Sequence, residues 1–510
     1  MHAATIDIRA HVEHKRATTI AKARDSFDET LEWLTSANAP RYLHKVDDSV
    51  WTRLVGLGLL LVSVWLAHRL PTEVPATLRR GRAWYGEMRL GSDMVRSRFG
   101  EVWFTRPVYR LVHGQGVALA TPLDRRIGLA AGRMSLSVHL VVAWLVARLP
   151  FDGALDVLRH FGAYTPSKRA ALGIVDQLGP YASAFLEDLP APNDDGDILV
   201  IQVDGKGAPM MTPREHAKRR RPHKKRARGQ TRRGLRRLAR KHHQRTRRRD
   251  RSKNAKMAML GVVYTLKILP DGTVEGPYNK RVFGTFKGGR ALFRTLACEA
   301  RKRGYGSKRT LFLADGAHPI WYLQKEFFPL AIPCLDWYHL SEYLWQAGGT
   351  VHRKEEALEP WVRARKDELR TGKIETVLGA MEALRAGIGK TGPGTKGRRK
   401  RLHEAIRYFK NHKHLMPYAE LLADGLDIAS GAIEGAVKHV AGARLDGSGM
   451  RWSPQRAEHV LALRCVLVNG DWEHFAEAVA RQHEALDDWR IPRVTPNKPT
   501  VPHKAAKKAA

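Results

Sequence analysis

The sequence predicts an α/β protein: a mixed sheet covered by helices, interrupted by a helical insertion and preceded by a mostly helical N-terminal region. Three observations carry this. Between Ile198 and Leu335, short apolar runs and helical patterns follow in the order strand, strand, strand, helix, strand, helix, strand. On both sides of that stretch, apolar residues recur at helical spacing. The chain has 510 residues, 43% of them hydrophobic, which is material for several domains with ordinary cores.

Residues 1–190 read as helical in segments such as Ser26 to Thr35 and Met134 to Leu149. The apolar run Leu54 to Ala67 (LVGLGLLLVSVWLA) falls short of the roughly 20 residues needed to cross a bilayer, so it reads as a buried helix and no membrane partner is expected. Phe151 to Leu178 has the length and grammar of a helix-turn-helix. A Phe-Gly-Ala-Tyr turn leads to Thr165-Pro166-Ser167, which caps a second helix with Lys168 and Arg169 in its first turn, where such helices meet DNA. An ordinary αα-hairpin has the same grammar. A linker rich in Pro, Asn and Asp (Leu189 to Asp197) marks a boundary.

After it, strands are expected at Ile198 to Val203, Met257 to Ile268, around Arg281 to Phe286, at Arg309 to Ala314 and at Ala331 to Leu335. Helices are expected at Gly289 to Arg303 and His318 to Phe328. The domain reading is therefore 1–190 (N-terminal region, helix-turn-helix candidate at 151–178), 198–345 (mixed-sheet core with a basic insertion at 214–253) and 346–425 (helical insertion). It continues with 426–485 (return to the mixed-sheet domain) and 486–510 (a Pro- and Lys-rich disordered tail).

Charge points to the partner. Eighty-eight Lys and Arg against 51 Asp and Glu give +37 and a pI near 10.4. A surplus of that size fits a polyanion, because each neutralised phosphate releases counterions. A ribosomal or merely basic soluble protein shares the charge. In the insertion 214–253 about half the residues are Lys or Arg, and Arg219, Arg220, Arg221, Lys224 and Lys225 are candidates for gripping phosphates. A solvated insertion is the bland alternative. Cys298, Cys334 and Cys465 are too widely spaced for a disulfide framework or a C-x-x-C site, which suits a reducing compartment, and no signal-peptide pattern opens the chain.

Two apolar strands end in Asp-Gly, at Asp204 and Asp315, and a third ends in Asp-Trp, at Asp336. Carboxylates just past strand ends sit where sheets of this kind place chemistry, and they gather hard cations such as Mg²⁺. Two such ions would activate a water or hydroxyl and stabilise the leaving oxygen of a phosphodiester. A lone Asp-Gly is also a common turn.

Five motifs then occur in order: ADGAHPIW (Ala314 to Trp321), LDWYHLSEYL (Leu335 to Leu344), SGAIEGAVKH (Ser430 to His439), GSGMRW (Gly447 to Trp452) and ALRCVLVNGDWEHF (Ala462 to Phe475). Together they resemble bacterial insertion-sequence transposases of the ISKra type, within the Mutator-like group, over roughly Ile198 to Phe475. TPLDRRIGLAAGRMS (Thr121 to Ser135) is a weaker match to the family's N-terminal region. The resemblance implies an RNase H-like fold whose DDE triad is Asp204 in QVDGKG, Asp315 in LADGAH and Glu434 in GAIEGA, holding Mg²⁺ or Mn²⁺, two ions in all. Independently, Glu434 lies at helical spacing beside the apolar Ile433, Val437 and Val440.

Asp336-Trp-Tyr-His339 resembles the family's C/D-x-x-H motif. His339 would orient the scissile phosphate, and Asp336 rivals Asp315 as second metal ligand. Lys438, Arg444, Arg451 and Trp452 are candidates for phosphate contacts or for stacking on an unpaired base. A solvated basic helix face with a core Trp is the alternative. The Arg-rich insertion after Asp204 departs from the family's compact spacing.

The implied partners are double-stranded DNA, as terminal inverted repeats and target, and a second copy when two ends are brought together, in the cytoplasm at the nucleoid. A DNA-binding regulator derived from a transposase and an RNase H-like nuclease are the competing readings.

Overall fold

The structure is a computed structural model that describes residues 7–130, 132–162, 164–212, 215, 255–447 and 450–484. Arg219, Arg220, Arg221, Lys224 and Lys225 of the basic insertion, and the tail at 486–510, lie outside the described residues. The chain forms two compact units. The first comprises Met1–Val142, Phe151–Ala170 and Ala476–Ala510, and the second Ala143–Pro150 and Ala171–Phe475.

The first unit opens with helices α1 (Ile8–Thr35) and α2 (Leu43–Arg69), which pack together. A sheet follows, built from β1 (Leu78–Arg80), β2 (Ala83–Ser97), β3 (Gly100–His113), β4 (Leu119–Ala120), β5 (Leu129–Ala130) and β6 (Met134–Ser135), with α3 (Pro122–Arg126) between β4 and β5. Its order is β4-β3-β2-β6-β5, with β1 also on β2. Val95, Val102 and Phe104 point into a core with Val12, Leu66, Leu70 and Leu123.

Most described residues of the N-terminal region are helical, as expected, and the sheet is the part that the sequence reading does not foresee. The strand alternation is obscured because buried positions of β2 and β3 hold Ser97 and Arg106, and half-buried Gly91 and Asp93 break the apolar rhythm. The apolar run at 54–67 also differs from expectation. It belongs to a helix of 27 residues, and Leu54 and Leu61 are 52% and 54% exposed rather than buried. By length and composition α2 could cross a membrane, and one such helix is compatible with a soluble protein.

Helices α4 (Leu136–Arg148), α5 (Phe151–His160) and α6 (Lys168–Asp188) follow. The connection between α5 and α6, residues 161–167, exceeds the three to four residues typical of a helix-turn-helix. Lys168 pairs with Asp152 at 2.6 Å and Arg169 is exposed. The structure contains consecutive helices here, which the helix-turn-helix and the αα-hairpin readings both expect.

The second unit is a mixed α/β sheet with helices. Its strands are β7 (Ile198–Pro209), β8 (Ala255–Ile268), β9 (Val274–Thr285), β10 (Arg309–Ala314) and β11 (Ile332–Leu335). The order is β11-β10-β7-β8-β9, with β7, β10 and β11 parallel and β8 antiparallel to both its neighbours. Ile198 to Val203 are all buried, which is why this central strand reads as a continuous apolar run instead of an alternation. Two boundaries move: β9 begins at Val274, and β7 continues past Asp204 to Pro209, paired only with β8.

Helix α7 (Gly289–Lys302) buries Leu292, Phe293, Leu296 and Ala300 at helical spacing, and α8 (His318–Phe327) connects β10 to β11. After β11 come α9 (Trp337–Gly348), α10 (Glu355–Arg370), α11 (Ile374–Gly387), α12 (Thr395–His412) and α13 (Tyr418–Ala423). Helix α14 (Gly431–Ala436) runs through a π-helical turn, Val437–Gly442, into α15 (Ala443–Leu445). The unit ends with α16 (Pro454–Val468) and the start of α17 (Trp472–Glu484).

Candidate active site

Register brings the strand-end acids side by side. Val203, Ala314 and Leu335 are Cα partners across β7, β10 and β11, so the next residues, Asp204, Asp315 and Asp336, stand at one level. Neighbouring parallel strands lie about 5 Å apart, which sets the spacing of Asp204 and Asp315 along the sheet edge. The Asp336 amide donates to the Ala314 carbonyl at 2.9 Å, fixing the third acid to the second strand.

Asp204 and Asp315 are half-buried, and each engages one carboxylate oxygen locally. Oδ1 of Asp204 accepts from the Gly205 amide at 2.6 Å, and Oδ1 of Asp315 from the Ala317 amide at 3.0 Å. Neither forms an ion pair with a described Lys or Arg, in a chain that has 88 of them. Burial pushes the Asp204 carboxyl above its ordinary value. The Gly205 amide opposes that shift, while the charges of Asp315 and Asp336 add to it.

Asp336 is used differently. It is 1% exposed, and both of its oxygens are committed. Oδ2 accepts from the His339 amide at 3.0 Å and lies 2.7 Å from His339 Nδ1; Oδ1 accepts from the Ser430 amide at 2.9 Å. Burial alone would raise its pKa, but the hydrogen bonds from His339 and Ser430 hold it below the usual carboxylate value. It caps α9 and ties the segment before α14 to the sheet. Of the two rivals for second metal ligand, Asp315 has one oxygen engaged by a backbone amide, whereas both oxygens of Asp336 accept hydrogen bonds. Its bond to His339 also raises that imidazole to about 9, with burial opposing and the charges of Asp336, Asp315 and Asp204 adding.

Glu434 is delivered by a second anchor. Gln202, buried two residues before Asp204, accepts from the Ile433 amide through Oε1 at 2.9 Å, and its Nε2 donates to the Tyr264 hydroxyl at 3.1 Å. Ile433 and Val440 are buried against the sheet, and α14 packs on β7 and β8. The Glu434 carboxylate is one-third exposed and lies 3.5 Å from Lys438 Nζ, one turn on. The π turn that follows is a feature often found at functional sites. Among the described residues, no three ligand side chains are already gathered as a metal-binding group.

Two expected DNA contacts are corrected. Arg444 is 1% exposed: its Nε donates to the Val146 carbonyl at 2.7 Å, and its guanidinium lies over the Trp452 ring at 4.9 Å. Burial lowers its pKa to about 10. Trp452 is buried too, with Nε1 donating to the Leu445 carbonyl at 2.9 Å, and its backbone bridges to the end of β7. Both are interior groups, drawn in by the apolar surface around them, and neither is placed to meet DNA. Arg451 pairs with Glu215 at 2.8 Å. Lys438 is 75% exposed, the most exposed of these four, and pairs with Glu434 at 3.5 Å.

Sequence reasoning missed Gln202, although a lone Gln inside ILVIQV was a visible signal, since a buried amide must find partners. It also missed Tyr343, Tyr408 and His412, which meet beside Asp315 from distant parts of the chain and leave no local pattern. No protein-family profile matches the chain, and no curated protein matches it in sequence.

Proposed function

We propose that the second unit is the catalytic domain of a DNA transposase: a metal-dependent, RNase H-like phosphodiester-cutting centre that cleaves at the ends of a mobile element and joins them to target DNA. The observation that carries the reading is the pair Asp204 and Asp315. They stand level on adjacent parallel strands, half-buried and without an ion pair to any described Lys or Arg in a chain of charge +37. Two carboxylates crowded together and shielded from water call for positive charge, and all-oxygen donors suit Mg²⁺ or Mn²⁺. The order of the sheet, an antiparallel meander followed by strand–helix alternation, supports the RNase H-like reading.

In this reading Asp204, Asp315 and Glu434 hold the ions. Bound there, they supply activation of the attacking water or 3′-hydroxyl and stabilisation of the leaving oxygen. The protein's own groups position the DNA. His339, with a pKa near 9, is cationic at neutral pH, and Asp336 fixes its Nδ1. Its Nε2–H is left to donate to a phosphate oxygen, so it acts as a clamp and not as a base. Lys438, exposed and 3.5 Å from Glu434, offers a second cation.

The test uses the full chain and labelled DNA carrying the ends that flank its gene, with and without Mg²⁺ or Mn²⁺. Metal-dependent cutting at the end boundary and joining to a second DNA is the expected result. Glu434→Gln should still bind ends but not cut them. Binding without cutting by the wild type, with both metals and at several salts, would favour the regulator; cutting without joining would favour a nuclease.

A further inference from the structure

Beside the carboxylates stands a column of aromatic rings that metal chemistry does not use. Tyr343 on α9 and Tyr408 on α12 lie face to face, centroids 3.9 Å apart and planes 16° apart. The Tyr408 ring is 4.4 Å from that of His412, and His412 is 5.7 Å from His318. The column is seated on the residue after Asp315. A Cβ at Gly316 would come within 2.4 Å of the Tyr408 ring, so glycine alone lets the ring lie there. His412 Nε2 is 3.0 Å from the Gly316 carbonyl, and its Nδ1 is 2.8 Å from that of Tyr408. Asp315 adds to the burial that raises both phenols, which places both rings within its field.

This is unlike the unit's core packing. Phe293 and Phe312 are tilted by 40°, Phe312 and Trp321 are edge-on at 70°, and all three rings are buried. Within the column Tyr343 and Tyr408 lie parallel, His412 and His318 follow at tilts of 45° and 35°, and the column ends in rings that reach solvent: Tyr343 is partly exposed and His318 exposed. Flat rings at nucleobase-like spacing, open at the end, offer the next place in the stack to another flat ring. The helix that brings Tyr408 is basic (TKGRRKRLHEAIRYFKNH), which supplies phosphate partners nearby.

We infer that Tyr343, backed by Tyr408, stacks on an unpaired nucleobase of the strand bound at the carboxylates, holding that nucleotide out of the duplex. The inference rests on the site being one for DNA strands. It makes Tyr343 a positioning residue, tolerant of base identity because every base has a π face.

The experiment uses the full chain in EDTA, so that no cleavage intervenes, and a duplex with a short single-stranded tail carrying 2-aminopurine. Stacking should quench the fluorophore on binding. Tyr343→Ala and Tyr343→Leu should lose the quench and bind the tail about tenfold to a hundredfold more weakly, whereas Tyr343→Phe, which keeps the ring, should retain both. An abasic tail should weaken the wild type to the level of Tyr343→Ala and leave that variant unchanged, a pattern that mere loss of packing would not give. Full quenching by Tyr343→Leu, or equal wild-type affinity for abasic and intact tails, overturns the inference. The two readings also separate. Quenching by a wild type that never cuts DNA with Mg²⁺ or Mn²⁺ keeps the stacking site and rejects the transposase, while cutting without quenching does the reverse.

Discussion

The acids of this protein fall into two groups, and β7 has one of each at its two ends. Just before the strand, Asp195 binds Arg303 at 2.7 Å and takes hydrogen bonds from Thr265 and Asn279. These overcome burial and hold its carboxyl at about 2. At the far end Asp204 forms no ion pair with a described Lys or Arg, and burial pushes its carboxyl up against the weaker opposing effects of the Gly205 amide and the His339 charge. The sheet of the first unit resembles the Asp195 end: Arg106 is shared by Asp93 at 2.7 Å and Asp124 at 2.5 Å, and Arg133 also pairs with Asp93. A chain with a large surplus of arginine neutralises its structural acids. Under the proposed function, the positive charge that Asp204 and Asp315 lack is one a ligand brings.

The sharpest way to break this comparison is to remove one acid of each kind. Asp204→Asn should lower metal-dependent cleavage roughly a thousandfold, since a Lewis-acid ion contributes several kcal/mol at the transition state. Its folding stability should hold or rise, because like charges are relieved. Asp195→Asn should do the opposite, costing about 3–5 kcal/mol by leaving the buried Arg303 guanidinium uncompensated. Urea denaturation beside a cleavage assay reads both, and a large stability loss in Asp204→Asn would refute the distinction.

Much of the second unit was legible because its strands are buried on both faces and its crossovers are local: β10, α8 and β11 each lie where apolar runs and helical spacing put them. The carboxylates were legible for the same reason, as isolated acids that end such runs. The first unit's sheet was not, because β2 and β3 place Ser97 and Arg106 in buried positions. Asp336 looked like Asp315 in sequence, and only the amides of His339 and Ser430, the second of them 94 residues away, show that its oxygens are taken. Arg444 and Trp452 misled for a related reason. Charge suggests solvent, but an arginine over a tryptophan face with a carbonyl partner can be interior.

That last pair gives the next contrast. Arg444→Ala should destabilise the fold by about 2–5 kcal/mol through the cavity and the stranded Val146 carbonyl, and change DNA affinity only through that loss. Lys438→Ala should stay within about 0.5 kcal/mol of wild-type stability, yet reduce the slope of log affinity against log salt by about 1. Measuring binding across salt with folded protein at each point separates the two. A reduced slope for Arg444→Ala with intact folding would return it to the DNA surface.

The smallest effect tests the Asp336–His339 pair, the link between the structural and the open acids. His339 rises from 6.5 to about 9 on folding, so its contribution is fully present below about 6.5 and disappears as pH climbs through about 9. Asp336 is lowered on folding, so its contribution is present above the ordinary carboxylate value of 3.8 and lost only in acid, outside that window. The difference in Tm between wild type and His339→Asn, measured in EDTA, should therefore be widest between about pH 4 and 6.5, narrow from there through neutral pH and close above about 9. The side chain is more than one-third exposed, so solvent screening keeps the difference small. A gap that does not change with pH would mean that His339 is held by packing alone, and its role as a cationic phosphate clamp would fall with it.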